Sequence, residues 1–73
     1  MNPQSSSVLI IIPCLNEENY IGALVEKLVA DTKDLSARII IADGASTDQT
    51  PEIAKALAQK YENVEYLHNQ KRL

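Results

Sequence analysis

Two short polar segments, each directly after an aliphatic run, contain the side chains best suited to hold a ligand. Residues 13–17 follow the apolar run 8–12, and residues 43–48 follow the apolar run 39–42. The carboxylate of Asp43 can accept hydrogen bonds from hydroxyl or N–H groups, such as those of a ribose or a nucleobase. These residue types are compatible with recognition of a nucleoside.

Asp43 and Ser46 also have a purely structural explanation, because Asp and Ser side chains readily form hydrogen bonds in turns and helix caps. An isolated Asp-Gly turn would favour that explanation. The matching position of residues 13–17 after another strand favours a shared site, since parallel strands end at one edge of a sheet. Gly44 fits such a site, because glycine lets the chain turn beside a ligand.

The other reactive side chains are weaker candidates. Cys14 has no neighbouring base to activate it and is typical of a small buried residue at a strand end. His68 is expected at the surface or at a strand end rather than in a metal site. Tyr20, Tyr61 and Tyr66 are expected to pack through their rings and to keep their hydroxyls in water.

The apolar pattern predicts an α/β fold with the order β-α-β-α-β and one parallel sheet. The unbroken aliphatic runs 8–12 and 39–42 are typical of strands buried on both faces, and a weaker alternation over residues 63–68 predicts a third strand. Two helical faces lie between the strands: Ile21, Leu24, Val25, Leu28 and Val29, then Ala54, Leu57, Ala58 and Tyr61.

The sequence predicts where each of the two helices begins. Asn16 is predicted to cap the first helix, with Glu17 and Glu18 in its first turn, where the helix dipole favours negative charge. Thr50 is predicted to cap the second, with Pro51 at its first position. Right-handed crossovers would then join the strands, and a ligand is expected outside their carboxyl ends.

Composition excludes several classes of function. The net charge of −3 argues against a nucleic-acid partner, because neutralising a phosphate backbone needs clustered Lys and Arg. One cysteine in 73 residues excludes an internal disulfide and favours a reducing, cytoplasmic compartment. A chain this short is near the lower limit for one stable core, so part of its apolar surface is expected to need covering.

Residues 1–7 are interpreted as a polar leader, and residues 8–73 as one piece with no internal boundary. The apolar run 8–12 is too short for a signal core or a membrane span. A membrane anchor after Leu73 would leave no trace in this stretch, and it would place the protein at the cytoplasmic face of a membrane.

The two polar segments together resemble the family 2 glycosyltransferases. Residues 8–18 are similar to the family's IIPxxNEE strand-loop-helix, and residues 39–50 to its VDxGSxDGT strand-loop-helix. The resemblance implies that residues 8–73 are the N-terminal, nucleotide-binding half of a Rossmann-like GT-A domain. It also implies a nucleotide-diphospho-sugar donor, with a UDP-sugar favoured, and a glycan or lipid-linked acceptor.

The resemblance also implies a role for four residues. Pro13 and Leu15 would flank the base, Glu17 would lie at the nucleotide pocket, and Asp43 would bind the nucleoside. Leu15 stands where the family often has an aromatic residue, which removes an expected stacking partner.

The second segment departs from the family pattern at three positions. Gly44 replaces a second aspartate, while Ala45 and Gln49 replace glycines. The change at Ala45 matters only if the backbone there needs a positive φ, which alanine tolerates poorly.

In the family, an Asp-x-Asp motif binds a divalent metal, Mg or Mn, and a further carboxylate acts as general base. Neither has a counterpart here, so this stretch alone is expected to be inactive. The intact enzyme would be an inverting transferase of polysaccharide biosynthesis. Residues 68–73 resemble the DNPKRI segment of succinoglycan-type exopolysaccharide glucosyltransferases.

Two alternatives remain: a non-catalytic module, and a dinucleotide-binding or phosphoacceptor α/β protein. A non-catalytic α/β binding or assembly module would dock on a partner that completes the sheet. A dinucleotide-binding protein would need Gly-x-Gly-x-x-Gly after the first strand, where residues 13–16 contain no glycine. A phosphoacceptor protein would need an acidic pair there, whereas Glu17 and Glu18 are expected at the helix start.

Overall fold

The computed structural model describes residues 7–68, which form three strands and two helices. The elements are β1 (Ser7–Cys14), α1 (Ile21–Asp31), β2 (Ser36–Asp43), α2 (Thr50–Lys60) and β3 (Val64–His68). The predicted α/β class and the β-α-β-α-β order are therefore confirmed. The predicted polar leader lies outside the described residues, except for Ser7, which is the first residue of β1. The exopolysaccharide-type segment after His68 also lies outside them.

The three strands form one parallel sheet with β2 in the centre. In the pairing register, Cys14 at the end of β1 lies opposite Asp43, which lies opposite His68 at the end of β3. The strand ends are therefore level. We call this row, together with the loops that follow β1 and β2, the carboxyl edge.

Both helices pack on the same face of the sheet. Their buried side chains meet the inward-facing residues of the strands in one core: Ile21, Val25, Ala54, Leu57, Ile39, Ile41 and Val64. Two right-handed crossovers that proceed in the same direction across a sheet place both helices on one side. The apolar faces predicted for the helices are confirmed, except that Leu24 is exposed.

The opposite face of the sheet is open across the described residues. Leu9, Ile11 and Leu67 project there with 59%, 55% and 52% of their surfaces exposed. The prediction that the first strand is buried on both faces is therefore wrong for this structure. Its aliphatic residues occupy both faces of β1, but the described elements cover only one of them.

The start of α1 differs from the prediction. The helix begins at Ile21 and has no acidic residue in its first turn, so Glu17 and Glu18 precede it. The Glu17 carbonyl accepts hydrogen bonds from the N–H groups of Tyr20 and Ile21. Asn16 does not cap the helix, because its side chain bonds to the loop after β2.

The start of α2 also differs by a small shift. Thr50 is the first helical residue rather than the cap, so Pro51 is the second residue of the helix rather than the first. Asp48 serves as the acceptor, since its Oδ1 lies 2.9 Å from Thr50 N and 2.6 Å from Thr50 Oγ1. Within residues 7–68, neither helix is long and apolar enough to span a bilayer.

Candidate functional site

The loop after β1 (residues 15–20, the first loop) is bonded directly to the loop after β2 (residues 44–49, the second loop). Asn16 N–H donates to Ser46 Oγ at 2.8 Å. In return, Asn16 Oδ1 accepts the N–H groups of Thr47 at 2.8 Å and Asp48 at 3.3 Å. The prediction that the two polar segments share one edge of the sheet is confirmed.

A second group of hydrogen bonds joins the loops closer to the helices. Glu17 N–H donates to Thr50 Oγ1 at 2.8 Å, and Glu18 N–H donates to Asp48 Oδ2 at 3.2 Å. Gln49 N–H donates to Glu18 Oε1 at 2.9 Å. Backbone N–H groups near helix starts need partners. Here Asp48 and Thr50 accept the N–H groups of the first loop and Glu18 accepts that of Gln49, so the two loops and the start of α2 form one braced unit.

Asp43 lies beneath this unit with none of its surface exposed. Its Oδ1 accepts hydrogen bonds from the N–H and the hydroxyl of Ser46, while its Oδ2 accepts the Tyr66 hydroxyl at 2.9 Å. His68 Nδ1 is 3.9 Å from the same Oδ2. Each of the two carboxylate oxygens therefore has a hydrogen-bond donor, as burial of a polar group requires.

The other three predicted site residues lie at the same edge but are more accessible. Pro13 is exposed, Leu15 has 37% of its surface exposed, and Glu17 is half-buried. Alternation along β1 directs Pro13 to the open face of the sheet, whereas Asp43 faces the helices. The structure brings the four residues to one edge, and their contacts with a nucleotide stay a prediction.

The tight turn of the second loop is made by Ala45, not by Gly44. Ala45 has φ 67° and Asn16 has φ 55°, whereas neither glycine has a positive φ. The expectation that Gly44 supplies the turn is therefore wrong. Ala45, which stands where the family pattern has glycine, adopts the left-handed conformation that disfavours a β-carbon.

Tyr66 is a further polar residue of this edge. The prediction that its hydroxyl stays in water is wrong, because the hydroxyl donates to the buried Asp43. Burial, and then the hydrogen bond to Asp43, raise the pKa of the Tyr66 phenol to about 12. The period of two in β3 indicated that Tyr66 faces the core. The register that places it beside Asp43 could not be seen in the sequence. Tyr61 packs as predicted, but Tyr20 is 69% exposed, so its predicted packing is wrong.

Cys14 is a small buried residue, as predicted. It has 8% of its surface exposed. Burial, followed by the negative charge of Asp43, raises the pKa of the Cys14 thiol to about 11. The thiolate needed for nucleophilic attack is therefore disfavoured near neutral pH.

The acidic residues at the edge act as hydrogen-bond acceptors for the protein itself. Burial opposes ionisation of Asp48, but hydrogen bonds from Thr50 and Glu18 outweigh it and lower the pKa of Asp48. Within residues 7–68, no group of three His, Cys, Asp or Glu side chains is arranged to hold a metal ion. Asp43 and Asp48 do not fit a metal site, because their carboxylate oxygens already accept hydrogen bonds from the protein.

An open groove of about 740 Å³ lies at the opposite, amino-terminal edge of the sheet. Leu9, Leu35, Arg38 and Asn63 are among its lining residues. None of the four predicted site residues contributes to this groove, so it is separate from the carboxyl edge.

The fold and the braced carboxyl edge define a partial Rossmann-like α/β protein, a class in which ligands bind beyond the carboxyl ends of the strands. Residues 9–73 match the model of glycosyl transferase family 2, and the chain belongs to this family. The resemblance found in the two polar segments is therefore confirmed.

Two curated proteins are similar to nearly the whole chain. The succinoglycan biosynthesis protein ExoA of Rhizobium meliloti (strain 1021) is 54% identical over 69 residues, which cover 94% of this chain and 21% of that protein. This likeness supports the predicted exopolysaccharide-type subgroup.

The second relative is the dolichyl N-acetyl-alpha-D-glucosaminyl phosphate 3-beta-D-2,3-diacetamido-2,3-dideoxy-beta-D-glucuronosyltransferase of Methanococcus voltae. It is 40% identical over 68 residues, which cover 89% of this chain and 21% of that protein. The chain thus spans about a fifth of the length of the curated relatives it matches. No solved structure matches it significantly.

Proposed function

We propose that this chain is the nucleotide-sugar-binding part of an inverting glycosyltransferase of polysaccharide biosynthesis. The donor is a nucleotide-diphospho-sugar, with a UDP-sugar favoured, and the acceptor is a glycan or a lipid-linked saccharide. The bracing of the first and second loops around Asp43 carries this proposal, because it builds one site from two strand ends. Family membership and the printed names of the two relatives support it.

In this proposal Pro13 and Leu15 flank the base, Glu17 lies beside the nucleotide, and Asp43 accepts an N–H or hydroxyl of the nucleoside. A carboxylate offers about four acceptor positions. Asp43 receives one hydrogen bond from Tyr66 and two from Ser46, which leaves capacity for one more donor.

Access to Asp43 requires a local movement, because the closed edge leaves the carboxylate without exposed surface. The His68 side chain is 48% exposed, and its Nδ1 lies 3.9 Å from Asp43 Oδ2. We propose that this ring moves aside when the nucleoside binds. Burial then strengthens the new hydrogen bond, since little water competes for the carboxylate.

The divalent metal, Mg or Mn, that we expect in the intact enzyme does not fit the acidic residues of this edge. We propose that the described segment binds the donor and transfers no sugar by itself. Transfer needs a base that deprotonates the acceptor and a positive group that offsets the charge of the leaving diphosphate. Asp43, Glu17 and Glu18 have neither of these two roles.

Titration of the full-length protein with UDP in the presence of Mn tests this assignment. Asp43→Asn preserves the size of the side chain and removes one anionic acceptor, so we expect UDP affinity to fall by roughly ten-fold. Leu15→Ala should weaken binding by a smaller factor, because it removes apolar contact with the base.

Asp34→Asn is the matched control, because it makes the same chemical change in the turn between α1 and β2, away from the carboxyl edge. Its UDP affinity should equal that of the parent protein. Equal affinity in the parent and Asp43→Asn would remove the role of Asp43. A parent protein that binds no UDP would overturn the preference for a UDP-sugar, and one that binds no nucleoside diphosphate at all would overturn the proposed function.

A non-catalytic binding or assembly module is the alternative favoured by the open face of the sheet, where Leu9 and Ile11 are more than half exposed. Such a module would bind a partner without needing UDP. The UDP titration therefore separates the two classes. For either class we propose a cytoplasmic location, or the cytoplasmic face of a membrane, because the single buried Cys14 fits a reducing compartment.

A further inference from the structure

A continuous chain of hydrogen bonds crosses the carboxyl edge and connects all three strands. The Tyr66 hydroxyl on β3 donates to Asp43 Oδ2 at 2.9 Å. Asp43 Oδ1, at the end of β2, accepts the Ser46 hydroxyl. Ser46 Oγ in turn accepts Asn16 N–H, in the loop after β1, at 2.8 Å. The chain therefore runs from β3 to the first loop through a buried carboxylate.

The order of donors along this chain follows from the chemistry of each group. A hydroxyl has one proton to donate, so Ser46 gives its proton to Asp43 and uses a lone pair for Asn16 N–H. Burial and Asp43 raise the pKa of Tyr66 to about 12, which keeps its hydroxyl protonated at neutral pH. Tyr66 is thus a permanent donor at the β3 end of the chain.

The Tyr66 ring is held from two sides. On one side, the partly buried ring packs against the hydrophobic core. The Lys55 ammonium of α2 lies 5.6 Å from the ring centroid, within the range of a cation–π contact. Because the ring is held in place, the hydroxyl has a defined position. Its hydrogen bond then fixes the orientation of the Asp43 carboxylate.

We infer that Tyr66 is a positioning residue of the donor site, which orients Asp43 and, through Ser46, the first loop that carries Leu15. The inference rests on the proposed function, because it assigns a role within the same site. The donor site then includes a residue of β3, a strand that lies outside both family-like sequence motifs.

The effect of losing the Tyr66 hydroxyl follows from the burial of Asp43. Among the described residues, Oδ2 would then face only His68 Nδ1, which at 3.9 Å is beyond hydrogen-bond distance. A buried carboxylate oxygen without a donor turns toward another partner or admits water. Either movement changes the hydrogen bonds of Ser46 and therefore the position of Asn16 and the first loop.

The test compares Tyr66→Phe with Tyr61→Phe in the full-length protein. Tyr61→Phe is matched, because the Tyr61 hydroxyl also bonds to a carboxylate, that of Glu26, but away from the carboxyl edge. We expect Tyr66→Phe to weaken UDP binding roughly three- to ten-fold. It should raise the KM for the sugar donor by a similar factor and leave the KM for the acceptor unchanged. Tyr61→Phe should change neither.

Each result supports or overturns the inference. Equal or tighter UDP binding by Tyr66→Phe, with a parent protein that binds UDP, overturns the role of Tyr66 and leaves the proposed function standing. Equal weakening by the two variants also overturns it, because a general loss of stability then explains the effect. Failure of the parent protein to bind any nucleoside diphosphate removes the proposed function itself.

A measurement on the unmutated protein keeps the inference testable if Tyr66→Phe does not fold. UDP should shift the assigned NMR signals of the Tyr66 ring, because its partner Asp43 gains a new donor. The signals of the Tyr61 ring should not move. Unchanged Tyr66 signals at a UDP concentration that saturates the protein would overturn the inference.

Discussion

The backbone N–H of Asn16 donates a hydrogen bond to Ser46 Oγ, thirty residues further along the chain, over 2.8 Å. The Asn16 side chain completes a reciprocal pairing, since its Oδ1 accepts Thr47 N–H at 2.8 Å. The two polar segments that are separate in the sequence are therefore one structure in space. This pairing predicts how the edge responds to substitution.

Replacement of Asn16 should weaken the whole unit. Asn16→Gly removes the side-chain acceptor for Thr47 and Asp48 while it tolerates the positive φ of 55°. We expect a loss of about 1–2 kcal/mol in the free energy of unfolding. Asn16→Ala should lose about 1 kcal/mol more, because a β-carbon is strained in the left-handed region.

Urea denaturation of the two Asn16 variants checks this order. Asn19→Ala is a suitable control, since Asn19 is an exposed residue of the same loop. An Asn16→Gly variant as stable as the parent protein would show that the brace contributes nothing to stability.

Ala45→Gly should stabilise the protein. Ala45 has φ 67°, and relief of the left-handed strain is worth about 1–2 kcal/mol, of which the greater backbone entropy of glycine removes about 0.5–1 kcal/mol. The net gain should appear as a higher thermal midpoint. Ala56→Gly, at an exposed position within α2, should instead lower stability by about 1 kcal/mol. A decrease for Ala45→Gly would contradict the strained conformation.

The open sheet face should make the separate 73-residue chain self-associate. Leu9 and Ile11 expose 59% and 55% of their surfaces side by side on β1, and neighbouring exposed apolar residues favour association. Leu9→Thr combined with Ile11→Thr keeps strand propensity and should shift sedimentation toward the monomer. Leu24→Thr, which makes the same change at a 42% exposed leucine of α1, on the other side of the sheet, should leave association unchanged. Identical sedimentation of the double variant and the parent chain would show that this face is not adhesive.

Stability should fall in alkaline solution because of Cys14. Its pKa is about 11 in the fold against 9.0 in the absence of the fold, so the folded state holds this proton more tightly. The protonated Cys14 thiol therefore makes its full contribution to the free energy of unfolding below pH 9. This contribution is lost as the pH rises from 9 toward 11. Cys14→Ala should reduce the fall in thermal midpoint between pH 8 and pH 10. Tyr66, whose pKa rises from 10.0 to about 12, acts in the same direction at higher pH.

Alkylation of Cys14 offers an independent check. At pH 8 the folded protein should react with iodoacetamide much more slowly than the protein in urea, because the thiol is buried and protonated. Equal rates in the two conditions would contradict the buried position of Cys14.

The order and types of the elements were predictable because periodicity in sequence is a local property. The faces around Val25 and Leu57 follow a helical period, whereas the aliphatic runs that became β1 and β2 are indicated as strands by their short length and their β-branched residues. The helix starts were less predictable. Asparagine is a common helix cap, but the side chain of Asn16 binds the second loop, and α1 begins only at Ile21.

The sequence by itself determined the α/β class, the parallel order and the edge at which a ligand is expected, because chain order and crossover handedness leave few other arrangements. It also determined, through motif resemblance, the family to which the chain belongs. The tertiary structure alone decided that Tyr66 meets Asp43, that the carboxylate is fully buried, and that Leu9 and Ile11 lie on an open face. These features depend on strand register and on which face the helices cover. Both arise from contacts between residues far apart in the chain, which no local pattern encodes.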